Sequence, residues 1–154
     1  MDEILTRYKS VLPDADFADE YFIDVPGSSI NAVSTAERVM GRQPAWVSGL
    51  MKLRGIIVTP LGLQHRHMDT RDTIGNFPVI SKSSQRVVVG LDDKHLDFRL
   101  VLECVPSGEN TTKISATTLV QTHNFLGRAY LQTILPFHKI IVPQMLAQAR
   151  NRAD

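Results

Sequence analysis

Apolar residues recur at helical spacing over the last part of the chain, His123 to Arg150 (HNFLGRAYLQTILPFHKIIVPQMLAQAR). Turning each residue about 100° from the last puts Tyr130, Ile134, Phe137, Ile141 and Met145 on one face. Leu131, Leu135, Val142 and Ala149 flank that face, with His138 among them. Arg128, Gln132, Lys139 and Arg150 fall opposite, together with Pro136 and Pro143. So wide an apolar arc predicts a helix held in a concave partner. Each proline removes one backbone hydrogen bond, which on the solvent face bends a helix around what it packs on. A break into two helices at Pro136 is the alternative. Asn124 is the expected N-cap, and Gly127 lets another backbone come close in the first turn.

Upstream, the pattern has the period of strands. Leu96, Phe98, Leu100, Leu102 and Cys104 alternate with His95, Asp97, Arg99 and Glu103. Ile114, Ala116, Thr118 and Val120 alternate with Lys113, Ser115, Thr117 and Gln121. These two strands, Leu96–Val105 and Thr111–His123, follow Phe77–Ser81 and Gln85–Leu91 in a meander of short turns. Pairing Val105 with Thr111 sets Leu102 opposite Ile114, Leu100 opposite Ala116, Phe98 opposite Thr118 and Glu103 opposite Lys113. That register matches both the apolar faces and the charges. Phe17–Val25 reads as a further strand, with Tyr21, Ile23 and Val25 sharing a face. Asp2–Leu12, Ile30–Met40 and Pro44–Ile57 read as short helices, and 61–74 as a weak strand or loop. The elements predict one α+β domain over residues 1–154, with helices on one side of a curved antiparallel sheet.

Composition narrows the function classes. Apolar residues make up 43% of the 154, which argues for a packed core, and the net charge is +1 with the basic residues scattered. No basic face interleaved with aromatics supports nucleic-acid binding. No apolar run reaches the ~18 residues of a membrane span. The single cysteine, Cys104, excludes an internal disulfide and fits a reducing compartment. Asp2 and Glu3 stand where a signal peptide needs positive charge. A cytoplasmic protein is the expectation. His65 and His67 alternate as metal ligands on a strand would, but no third ligand adjoins them. Asp92-Asp93-Lys94-His95 sits in a hairpin turn, where aspartates make local bonds. Nucleophile-elbow, phosphate-loop, H-E-x-x-H and C-x-x-C motifs do not occur, and no cofactor or metal is expected.

The order of elements resembles the helix-grip fold of the START-like SRPBCC superfamily. Gly90–Leu102 (GLDDKHLDFRLVL), His123–Leu146 and the spacing Trp46…Leu50…Leu53-Arg54 also resemble a bacterial family within it known only as a domain of unknown function. The resemblance runs from about Ala15 to Arg150. It implies a curved sheet wrapped around the C-terminal helix, two short helices after the first strand, and a hydrophobic cavity between sheet and helix. Superfamily members include carriers, cyclases and chaperone-binding modules, so the fold leaves function open.

The expected site lies in that cavity. Phe98, Leu100, Ala116 and Thr118 would come from the sheet, and Tyr130, Ile134 and His138 from the helix. Arg54 would stand at the mouth, facing either a ligand carboxylate or Asp92 or Asp93. His138 can be a base, a ligand-binding group, or a histidine satisfied by a nearby carbonyl. Three functions follow. The first is a module binding a small apolar molecule. The second is a cyclase- or dehydratase-like enzyme using His138 or Tyr130. The third is a protein-interaction module with a filled core.

Overall fold

A computed structural model of the chain describes residues 1–41, 72–75 and 77–150. The helix expected over Pro44–Ile57, with Trp46 and Arg54, lies outside them, as do His65 and His67. The described elements are α1 (Asp2–Arg7), β1 (Phe17–Pro26), α2 (Ala32–Gly41), β2 (Thr73–Ile74), β3 (Phe77–Lys82), β4 (Arg86–Asp92), β5 (Leu96–Gly108), β6 (Thr111–Thr122) and α3 (Phe125–Ala147). A 3₁₀ turn over Gln148–Arg150 follows α3. The six strands form one antiparallel, curved sheet in the order β1-β6-β5-β4-β3-β2, gripping α3 in an α+β helix-grip arrangement.

Side chains on the concave face form rungs across the strands. Phe17, Val120, Phe98 and Leu91 make the first rung, and Asp19, Thr118, Leu100 and Val89 the second. Tyr21, Ala116, Leu102 and Val87 make the third. The third rung and those beyond it are sealed by α2 and the end of α3. Val87, Leu102, Ile114 and Ala116 pack there with Ala36, Met40, Met145 and Leu146. α2 starts at Asn31, whose Oδ1 accepts from the amides of Val33 and Ser34 at 2.9 and 3.2 Å.

The register of β5 and β6 differs from expectation by two residues. Leu102 pairs with Ala116, Leu100 with Thr118, Phe98 with Val120 and Glu103 with Ser115. The strands run on past Pro106, with an irregularity between Pro106 and Gly108, so that only Glu109 and Asn110 form the turn. Treating Pro106 as a strand end misplaced the turn. An even shift keeps every side chain on its expected face. The expected Glu103–Lys113 pair is replaced: Glu103 binds Arg86 and Tyr8, and the Lys113 ammonium lies 4.1 Å from the centre of the Phe22 ring.

α3 is continuous through Pro136 and Pro143. The carbonyls these prolines leave without a helical donor belong to Gln132 and Lys139, both exposed to water. The helix is rotated from expectation. Phe137 is 44% exposed and Ile140 54%, while Gly127, Met145 and Leu146 are buried. The seam against the sheet runs through Gly127, Leu131, Ile134, His138, Val142, Met145 and Ala149, so His138 sits at its centre and not at its flank.

The N-terminal segment covers the opposite, convex face, where no helix was expected. Tyr8 and Leu12 pack on Ala18, Val88, Val101 and Leu119. The Tyr8 hydroxyl donates to Glu103 Oε2 at 2.6 Å, and the guanidiniums of Arg7 and Arg86 lie 5.9 and 5.7 Å from its ring centre. Burial, then the bond to Glu103, raises the Tyr8 phenol above the usual tyrosine range. The unfolded chain therefore releases this proton first, and its share of stability is lost as pH rises through that range. Tyr8→Phe is expected to cost about 1–2 kcal/mol at neutral pH, by urea melts, and to flatten the alkaline loss.

Candidate functional site

The far end of the concave face, the first two rungs, is not sealed in the same way. There the first half of α3 spans the sheet over a pocket of about 190 Å³. Its lining comprises Phe17, Phe77, Leu96, Phe98, Val120, Leu131, Ile134 and Leu135, with Thr118, Tyr130 and His138 as its polar members. Phe77 meets Phe98 edge to face at 5.4 Å, a favourable ring geometry that stiffens one wall.

Two contacts fix the helix above the pocket. Asn124 caps α3, its Oδ1 accepting from Gly127 N at 3.0 Å, and its side chain also reaches His95 Nδ1. Gly127 lies directly on the β4–β5 turn: a Cβ there would stand 2.0 Å from the His95 carbonyl oxygen. The close backbone approach read from the sequence is thus a contact with His95.

The polar corner is built from three elements. His138 Nε2 lies 3.0 Å from Asp19 Oδ1, with the histidine and aspartate side chains 15% and 20% exposed. Asp19 stands opposite Thr118 across β1 and β6. The Tyr21 ring meets the His138 ring edge to face at 6.4 Å. Burial, then the Asp19 charge, raises the Tyr21 hydroxyl. The Thr118 hydroxyl is buried and has no hydrogen-bond partner among the described residues. A histidine held by a carboxylate beside an apolar pocket can accept or deliver a proton, and can orient a polar group on a bound molecule.

Of the residues expected at the site, Phe98, Thr118, Tyr130, Ile134 and His138 come together on the pocket wall. Ala116 belongs instead to the sealed core, and Leu100, partly buried, packs against that core and is not on the pocket wall. Ala116 is 3% exposed, so its small side chain serves close packing. Arg54 is outside the described residues, and Asp92 pairs with Arg99 at 2.6 Å. Asp19 was missed. Its signal was parity: it shares a face with Phe17, Tyr21, Ile23 and Val25, a charge on an otherwise apolar side. Among the described residues no group of three His, Cys, Asp or Glu side chains could hold a metal ion, and no helix is long and apolar enough to cross a membrane.

Comparison with solved structures finds similarity to a conserved protein from Geobacillus kaustophilus (9% identity, TM-score 0.44, covering 87% of this chain and 93% of that one). A START superfamily protein from Mycobacterium smegmatis is similar at 12% identity and TM-score 0.38, with 83% and 96% covered. A truncated norcoclaurine synthase from Thalictrum flavum is similar at 8% identity and TM-score 0.31, with 90% and 95% covered. No curated protein matches the chain. The family model described as "Protein of unknown function (DUF2867)" matches residues 11–145, most of the length, and the chain belongs to that family.

Proposed function

We propose that this protein binds a small, largely apolar molecule between the first half of α3 and the sheet. The observation that carries the reading is the pocket of about 190 Å³, in which eight apolar side chains surround three polar ones. Apolar walls with few polar groups are the usual make-up of a small-molecule site. A dry apolar cavity of roughly 150 Å³ is enough to take benzene, so this space suits one substituted ring. The filled-core interaction module has the pocket against it.

A second reading, an acid–base enzyme, is favoured by one contact, His138 on Asp19. The two readings separate at His138→Asn, which keeps hydrogen bonding and removes titration. A carrier retains most of its affinity. An enzyme relying on this base loses on the order of 10²–10⁴ in rate.

Single-ring apolar compounds at about 100 times Kd are expected to stabilise the protein by about 2.7 kcal/mol, seen as a raised Tm. Ile134→Trp, which fills the pocket from the helix side, is expected to abolish the shift. Shifts that survive in Ile134→Trp would place the ligand elsewhere.

A further inference from the structure

We infer that Thr118 and the Asp19–His138 pair together form a receptor for a hydroxyl group, so that the pocket selects a ring-sized phenol or alicyclic alcohol. This rests on the pocket being a ligand site, as proposed above.

Thr118 is the first reason. It is 8% exposed, it lines the pocket, and its hydroxyl has no partner among the described residues. The other threonine hydroxyls of β6 whose bonds are seen have acceptors: Thr112 donates to the Gly27 carbonyl, Thr117 to Glu20 and Thr122 to Asp16. A buried polar group left unmade is costly, and valine would fill the same space without that cost. A ligand oxygen is the partner this position lacks.

Asp19 supplies the second reason. Its carboxylate can only accept, so the 3.0 Å contact holds the proton on His138 Nε2. In the neutral imidazole that leaves the lone pair on Nδ1, which makes no hydrogen bond among the described residues. His138 and Thr118 both line the pocket, so the neutral pair offers a ligand one acceptor, Nδ1, and one group able to donate, the Thr118 hydroxyl. A hydroxyl satisfies both, donating to the ring nitrogen and accepting from threonine. A ketone satisfies only the donor. A hydrocarbon satisfies neither. A carboxylate would face Asp19, and among the described residues no Lys or Arg lines the pocket to offset the repulsion.

Size sets the rest of the molecule. About 190 Å³, walled by Phe17, Phe77 and Phe98, takes one ring with a small substituent.

The test is calorimetric titration of the full chain with p-cresol, p-xylene, 4-methylacetophenone and p-toluate, the first two being nearly the same size. p-Cresol is expected to bind on the order of tenfold more tightly than p-xylene. Thr118→Val, an isosteric change, should erase that preference while p-xylene affinity holds, which also reports that the fold is intact. Thr118→Ser should keep the preference. Asp19→Asn, which acts through the histidine, should lower p-cresol affinity and leave p-xylene affinity alone. Equal binding of p-cresol and p-xylene would overturn the inference and leave the apolar pocket standing. So would tightest binding of p-toluate or the ketone, or a Thr118→Val variant that keeps the preference. Binding of none of the four would overturn the pocket reading itself.

Discussion

Gly127→Ala should cost about 3 kcal/mol, at the upper end of the range for inserting one methyl into a packed site. The new Cβ would lie 2.0 Å from the His95 carbonyl oxygen, a backbone atom that cannot swing aside as a side chain would. That carbonyl already accepts from His123 N at 2.9 Å, so moving it breaks the entry to α3. The gain in helix propensity from glycine to alanine, about 1 kcal/mol, works in the other direction and is outweighed. Equilibrium urea unfolding measures it. A neutral or stabilising Gly127→Ala would mean that the helix does not dock on the β4–β5 turn.

The second large effect separates the two rotations of α3. Leu146→Ala should cost about 2–5 kcal/mol, since Leu146 is 1% exposed in the sealed core. Phe137→Ala should cost less than about 1 kcal/mol, because the ring is 44% exposed. The periodicity alone had placed Phe137 at the centre of the buried face, which would have made it the costlier change. Thermal melts of the two variants decide between the orientations.

That rotation shows why some of the structure was legible in the sequence and some was not. Alternation along Leu96–Cys104 and Ile114–Val120 determines which side chains share a face, because the period of a strand is two and neither face tolerates a slip. Alternation cannot tell a register from one displaced by two residues. The turn decides that, and here the strands pass through Pro106. In α3 the apolar residues cover more than half the circumference, so hydrophobicity alone leaves the angle loose. The missing constraint is Gly127: only a residue without a side chain fits against His95, and facing it there carries His138 to the middle of the seam. Asn124 and the continuity of the helix could be read locally, since a cap and a solvent-side proline act within one turn. The pairing of Asp19 with His138 could not, because the two are 119 residues apart in sequence. The split between pocket and sealed core was equally hidden. It depends on where α2 and the end of α3 cover the sheet, which put Ala116 in the core and Leu100 against it.

β1 is an outermost strand of the sheet among the described residues. A strand in that position offers unpaired backbone groups to any extended chain it meets, its own copies included. Asp19, Glu20 and Asp24 lie along it, and Pro26 closes it. A second copy of β1 laid alongside would bring carboxylates together, and Asp19 points its charge toward the sheet's concave side, a placement that disfavours continuation of the sheet. The residue that orients His138 thus also helps keep neighbouring molecules from polymerising edge to edge.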